Sequence, residues 1–307
     1  MIPLEDIKIN LIDIGARDGI EQEWMKLHSY LKVFSFDPDV KSVINKTSNS
    51  IVYPYAIGAH NENKPFYICK DKYCSSLLKP NFDFLSEFPD WERFIIEKQI
   101  NVKVRTLDDL LINNEIEQPD VLKIDAQGMS YDILVNSLSV VKNAICIVVE
   151  CSYERMYVEE NLIDKILRFM YANNFEIVDK KDFYWRKKRS YKFGSQTGNL
   201  IWSDIVFFKK LNYLTNNQEI NSKYLMLKYY LISQIYDYHH ESLDYIKDNK
   251  IINKNILSKY KLKNSYKDKI FNLSSCILSP LNLRLLRYIH RVIQKTILHK
   301  IGPVYLK

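Results

Sequence analysis

Asp13 stands two residues before Gly15 in the stretch LIDIGARDGI, residues 11–20, and Gly19 follows four residues later. The 307-residue chain has only seven glycines, so two this close mark a place where backbone turns tightly or is approached closely. Asp37 closes a second apolar run in FSFDPD, 18 residues past Gly19. Acids at the ends of consecutive apolar runs can do binding chemistry. One beside the glycine turn suits an ammonium group, and one ending the second run can take both hydroxyls of a ribose. A ligand that joins an amino acid to a ribose is S-adenosylmethionine. A dinucleotide site would show GxGxxG facing a pyrophosphate, and GARDG lacks that spacing. A plainer alternative stays open, in which Asp13 caps a loop and Asp37 opens a turn before Pro38.

Two further acids, Asp125 in VLKID and Glu150 in IVVE, also end apolar runs. If those runs are neighbouring parallel strands, about 4.8 Å apart, both carboxylates emerge at the carboxyl edge, where open α/β sheets bind ligands. Asp125 is the first candidate for a base or orienter beside a reacting hydroxyl, and Glu150 the second. The alternative is that Asp125 caps the next turn or touches only the cofactor. The same pair could hold Mg²⁺, which takes carboxylate oxygens.

Short apolar runs alternating with helical spacing must position these groups. INLIDI is followed by EWMKLHSYL at helical period, then VFSFDPD, a helical VKSVIN, and SIVYPYAIG. The spacing predicts βαβ units, a parallel sheet with helices on both faces, and a helix N-terminus offering free N–H groups after the glycine turn. Residues 64–104 interrupt the pattern with one extra strand and, over 75–101, an excursion with helical pieces. The alternation resumes with VLKID at 121–125, helix YDILVNSL, strand AICIVVE at 144–150 and a helix over 161–172. FEIVD and IVFFKK (205–210) are expected to close the sheet as a hairpin with one antiparallel strand.

The motifs resemble those of the FkbM family of S-adenosylmethionine-dependent methyltransferases. LIDIGARDG, FDPD, AIG (56–58), SSL (75–77), VRTLDDLL (104–111), DVLKIDAQGMSYDIL (120–134) and IVVE (147–150) occur in the family's order over about residues 10–210. The resemblance implies a Rossmann-like class I methyltransferase α/β sheet, mostly parallel with one antiparallel strand. It implies cofactor contacts from Asp13, Gly15, Ala16, Arg17, Gly19, Asp37, Pro38, Ala56 and Asp125. It also implies O-methylation of a sugar or glycan precursor in surface polysaccharide biosynthesis. A non-sugar small molecule as acceptor and a binding module without turnover are the alternatives. One position departs from the family: Gln127 stands where a glutamate is usual.

Composition divides the chain. Residues 211–307 hold 16 Lys and Arg against 6 Asp and Glu, whereas residues 1–210 hold 28 against 31. The expected organisation is a methyltransferase domain over 1–210 and a basic, mainly helical extension over 211–307. Helical period is strongest over 222–238 and 281–299. Between 280 and 302, Arg284, Arg287, Arg291 and Lys295 share one helical face, opposite Leu285, Ile289, Val292, Ile293 and Thr296. Such a helix can lie on an anionic membrane surface, or pack its apolar face on the body or a second subunit of a homo-oligomer. No nucleic-acid motif accompanies the charge. Five cysteines without framework spacing, no signal peptide and no long apolar run lead us to expect a reduced, cytoplasmic protein, peripheral at most to the inner membrane face. His239-His240-Glu241 resembles a ligand cluster, but adjacent helical residues diverge by about 100°, so no metal site is expected there. His28 is expected at the surface. The basic loop Trp185-Arg186-Lys187-Lys188-Arg189 could meet an acidic acceptor or stand in solvent.

Overall fold

The computed structural model describes residues 7–44, 47–189, 198–216 and 222–249, together with Leu257, Tyr260 and Leu262. Its main sheet has seven strands: β1 (Ile9–Ile14), β2 (Leu31–Phe36), β3 (Ser50–Tyr53), β7 (Val121–Ile124), β8 (Cys146–Ser152), β9 (Phe175–Trp185) and β10 (Asn199–Lys209). They lie in the order β3-β2-β1-β7-β8-β10-β9. β10 pairs antiparallel with β8 and β9, and the remaining pairs are parallel. β1 and β7 are buried at every residue, as strands covered on both faces must be. The expected sheet, with its single antiparallel strand, is therefore present.

A second sheet of three strands holds β4 (Ala56–Ile57), β5 (Glu62–Cys69) and β6 (Ile96–Arg105), in the order β4-β6-β5. β5 is the extra strand the sequence announces. β6 corrects the expectation of a helical excursion over 75–101. Ile96, Ile100, Val102 and Val104 recur at even spacing, and that period of two pairs β6 antiparallel with β5. Between β5 and β6 lie α1 (Phe82–Leu85) and a 3₁₀ turn at Trp91–Phe94.

Among the described residues no α-helix lies between β1 and β2 or between β2 and β3. Each expected helix is a single 3₁₀ turn, at Trp24–Leu27 and Val40–Ser42. In the first, only Trp24 and Leu27 are buried, a pair three residues apart that one tight turn satisfies. The indole of Trp24 meets the ring of Tyr236 edge-on. In the second, Asp39 caps the turn by accepting from the Lys41 N–H.

After α2 (Leu107–Ile112), the helix expected at YDILVNSL divides into α3 (Ser130–Val135) and α4 (Leu138–Asn143). The break falls at Asn136-Ser137, where the Asn136 amide donates to the Asp132 carbonyl. α5 (Ile163–Ala172) buries Ile166 and Met170. Beyond Lys210, α6 (Leu211–Asn216), α7 (Ser222–Ser233) and α8 (His240–Asp248) belong to the same compact unit as the sheet, which extends to Tyr260. The change of composition after residue 210 thus coincides with a change from sheet to helices. The basic helix expected over 281–299 lies outside the described residues.

Cys69, Cys74, Cys146 and Cys151 are free thiols in the interior. No helix among the described residues is long and apolar enough to cross a membrane.

Candidate active site

Three loops meet at the carboxyl edge of β1, β2 and β7. Gly15, at φ +74°, has no Cβ, and one built there would fall 1.8 Å from the Asp125 carbonyl oxygen. No side chain could occupy that place. The N–H groups of Gly15 and Ala16 both donate to the Phe36 carbonyl, and the Asp125 N–H donates to Ile14. The helix N-terminus expected after the glycine turn is not formed, because only a 3₁₀ turn at Trp24–Leu27 follows it. The glycine turn spends its donors on tying β1 to β2, and the glycine serves close approach of the loop that follows β7.

The tie leaves a cleft lined by Gly15, Arg17, Asp37, Pro38, Ala56 and Asp125, with an apolar floor that includes Phe36, Ile57 and Met129. Asp13, Ala16 and Gly19 do not line it. Asp13 is buried, and its carboxylate receives the Lys123 ammonium at 3.1 Å. The Asp13–Lys123 pairing follows from register, since the two residues are partners across β1 and β7.

Asp37 is 6% exposed. Its Oδ1 accepts the Asp39 N–H at 2.7 Å. Burial pushes its carboxyl above the ordinary range, while that N–H and the Arg17 guanidinium pull it back. Arg17 lies 3.9 Å from Asp39 and over the ring of Tyr73, whose hydroxyl donates to Asp18.

Asp125 follows directly on β7, and Glu150 lies near the end of the neighbouring β8. Ile124 and Val149 are register partners, so the two carboxylates stand side by side, as the apolar runs imply. Between them is Gln127. Its Nε2 donates to Asp125 Oδ1 at 2.7 Å and to both Glu150 oxygens at 3.3 Å. Its Oε1 accepts from the Tyr157 hydroxyl at 2.9 Å. Asp125 and Gln127 line the cleft, and Glu150 stands behind them. Burial pushes the Glu150 carboxyl well above its ordinary value, and the charges of Asp125, Asp204 and Glu160 push it further. Asp204, opposite Glu150 on β10, is raised to about 7, first by burial and then by Asp125.

Gln127, Tyr157, Tyr73 and Lys72 are site residues that motif reading did not assign. Gln127 was visible only as a departure from a pattern. Tyr157 carries no local signal, because its role comes from contacts with Gln127 and Cys74, 30 and 83 residues away. In the basic loop, Trp185 stacks on Phe88 at 4.7 Å, and Lys187 pairs with Glu87. His28 is exposed and bonds to the Met25 carbonyl. The rings of His239 and His240 stack at 4.6 Å, and no metal-binding group of His, Cys, Asp and Glu occurs among the described residues.

The family model described as the methyltransferase FkbM domain matches residues 13–177. A curated relative, the 2-O-methyltransferase NoeI of Sinorhizobium fredii, is 24% identical over 181 residues, covering 55% of this chain and 72% of its own. Among solved structures, a proposed RNA methyltransferase of Pyrococcus horikoshii matches at 10% identity and a TM-score of 0.31, covering 66% of this chain and 76% of its own. M. jannaschii TYW2 in complex with AdoMet matches at 11% identity and 0.27, covering 67% and 71%.

Proposed function

Because the chain belongs to the methyltransferase FkbM domain family, we propose that it transfers a methyl group to a hydroxyl of a sugar or glycan precursor. It is an S-adenosylmethionine-dependent methyltransferase. An oxygen acceptor is supported by the relative's activity as a 2-O-methyltransferase. The observation that carries the reading here is the Asp125 carboxylate, which lines the cleft and is oriented by Gln127.

The cleft fits the cofactor. Its apolar floor suits the adenine, and Asp37, a buried carboxylate in its wall, suits the two ribose hydroxyls. Arg17, a cation in the cleft lining, would hold the carboxylate of the amino-acid end. When bound, S-adenosylmethionine supplies an electrophilic methyl group. The protein's remaining duty is to place the acceptor oxygen and manage its proton, because a sugar hydroxyl is a weak nucleophile near neutrality. Asp125 is the carboxylate that can receive that proton from the cleft. Glu150 lies outside the cleft lining and both of its oxygens face the Gln127 amide, so it serves Gln127 rather than the acceptor.

Asp125→Asn tests this directly. The variant is expected to fold, to retain most of its affinity for S-adenosylhomocysteine, and to lose roughly 100-fold or more in kcat. Products from a panel of glycans and small polyols would be identified by mass and NMR. Methyl transfer confined to nitrogen or carbon would sink the oxygen-acceptor reading, and a near-normal rate in Asp125→Asn would remove Asp125 as the base.

A further inference from the structure

The side chain between Asp125 and Glu150 is a neutral amide, and its orientation is fixed by its surroundings. Gln127 is held in a left-handed conformation, φ +46°, followed by Gly128 at φ +91°. A Cβ at Gly128 would lie 3.1 Å from both Leu78 and Tyr157. The Gln127 carbonyl is pinned by the Ser76 hydroxyl at 2.6 Å. The Tyr157 hydroxyl, which contacts the Cys74 carbonyl at 3.0 Å, also reaches Gln127 Oε1 at 2.9 Å. Tyr157 is fully buried, and burial raises its pKa well above the ordinary value, so it remains a donor. Two carboxylates, which only accept, set the amide's rotation: the NH₂ must face them, and Oε1 then faces the Tyr157 hydroxyl, whose single hydrogen it shares with the Cys74 carbonyl. One N–H meets Asp125, and the other is shared by the two Glu150 oxygens.

Two close carboxylates on neighbouring strands repel unless something positive or donating lies between them. A divalent cation is one such filler. Mg²⁺ needs oxygens at about 2.0–2.1 Å and Ca²⁺ at about 2.3–2.6 Å. Here the place is taken by a nitrogen whose hydrogens point at the very oxygens a cation would use. Among the facing groups, Asp204 and Glu160 add negative charge and Lys123 lies beyond Asp125 along the sheet, so the amide is the donor in contact with both acids.

We propose that Gln127 is a positioning residue that replaces a divalent cation between Asp125 and Glu150, so that this active site works without one. The amide restrains Asp125 through one oxygen and leaves the carboxylate available to the cleft. The catalytic half of this inference rests on Asp125 serving the acceptor, as argued above. The metal half does not.

The test compares Mn²⁺ binding, by electron paramagnetic resonance and calorimetry, in the full-length protein and in Gln127→Glu. The wild type is expected to bind no Mn²⁺ at this place up to millimolar concentrations. Its turnover should be unchanged by EDTA. Gln127→Glu, with three carboxylates converging, is expected to gain Mn²⁺ affinity at least tenfold, and the gain should vanish when Asp125→Asn is added. Its kcat profile should also shift, the acid limb moving up by roughly one pH unit from the added charge. A merely structural role for Gln127 would leave that limb in place. Wild-type Mn²⁺ binding that Asp125→Asn abolishes overturns the proposal, and so does absence of binding in both proteins. If Gln127→Glu does not fold, Gln127→Ala, which opens the gap, carries the same comparison. Loss of activity on every oxygen acceptor would count against the proposed reaction and leave the metal measurement intact.

Discussion

Lys123 Nζ lies 3.1 Å from Asp13 Oδ1 inside the sheet and 3.4 Å from Glu21. A charge on a fully buried strand is tolerated only with a partner, and removing one member of such a pair costs about 3–5 kcal/mol. Lys123→Met is therefore expected to destabilise by that order. Burial lowers the Lys123 pKa, but Asp13, Asp125 and Glu21 together outweigh it and hold the value above 10.5. Folding thus favours the protonated lysine. That stabilisation is complete below the ordinary value and disappears as pH rises through the raised one. Urea unfolding should show a constant gap between wild type and variant from about pH 6 to 9, closing above about pH 10.5. A gap that does not close in alkali would show that the charge is not what stabilises.

Asp37→Ala should weaken S-adenosylhomocysteine binding, since hydrogen bonds to a charged acceptor are worth about 1.5–3 kcal/mol each. Two such bonds to the ribose hydroxyls make the expected loss about 100-fold or more by calorimetry, with little change in Tm, because Asp37 stands in the cleft wall. Unchanged affinity in a folded variant would refute the ribose assignment.

Much of this site was legible from sequence because strand ends are local features. Val121–Ile124 is apolar but for Lys123, so the run announces a buried strand, and Asp125 must then stand at its edge. Asp37 closes β2 in the same way. What sequence hid are relations between distant strands. Lys123 and Asp13 are 110 residues apart, and the partner that takes the Asp13 carboxylate is visible only once β1 and β7 are in register. Asp13, expected from its place before Gly15 to meet a ligand's ammonium group, has the Lys123 ammonium beside it. The missing helix after Gly19 has a similar cause: an apolar period of three or four cannot distinguish one 3₁₀ turn from a longer helix when only Trp24 and Leu27 are buried.

Asp204 should make stability depend on pH around the site. Its pKa rises from 3.8 to about 7, through burial first and then Asp125, with Lys181 opposing. Between about pH 4 and pH 7 the unfolded chain releases this proton while the folded chain keeps it. Stability therefore falls across that window as pH rises. Asp204→Asn removes the dependence, so the variant should gain on wild type from about pH 4 to 7 and then hold its advantage. Melting temperatures at pH 4.5 and pH 8 measure this; the same difference at both would contradict it.

The helices after Lys210 should be necessary for the fold as far as Tyr260. Phe208 meets Tyr229, Tyr236 and Tyr238 with ring centroids at 5.5, 6.0 and 5.5 Å. The Tyr229 hydroxyl donates to the Lys209 carbonyl, and the Lys228 ammonium holds both oxygens of Asp120 at 2.9–3.0 Å. Asp120 Oδ2 in turn accepts the Asn10 N–H of β1. Truncation after Lys210 would strip these partners from Phe208, Trp24 and Asp120 together. At about 1.5–3 kcal/mol for each aromatic side chain uncovered, the loss approaches the 5–15 kcal/mol that holds a domain folded. That protein is expected to be insoluble or unfolded by circular dichroism. Truncation after Tyr260 keeps every one of these contacts, so it should fold and bind S-adenosylhomocysteine within about threefold of the full chain. A soluble, cofactor-binding product ending at Lys210 would show that α7 and α8 are dispensable to the sheet they cover.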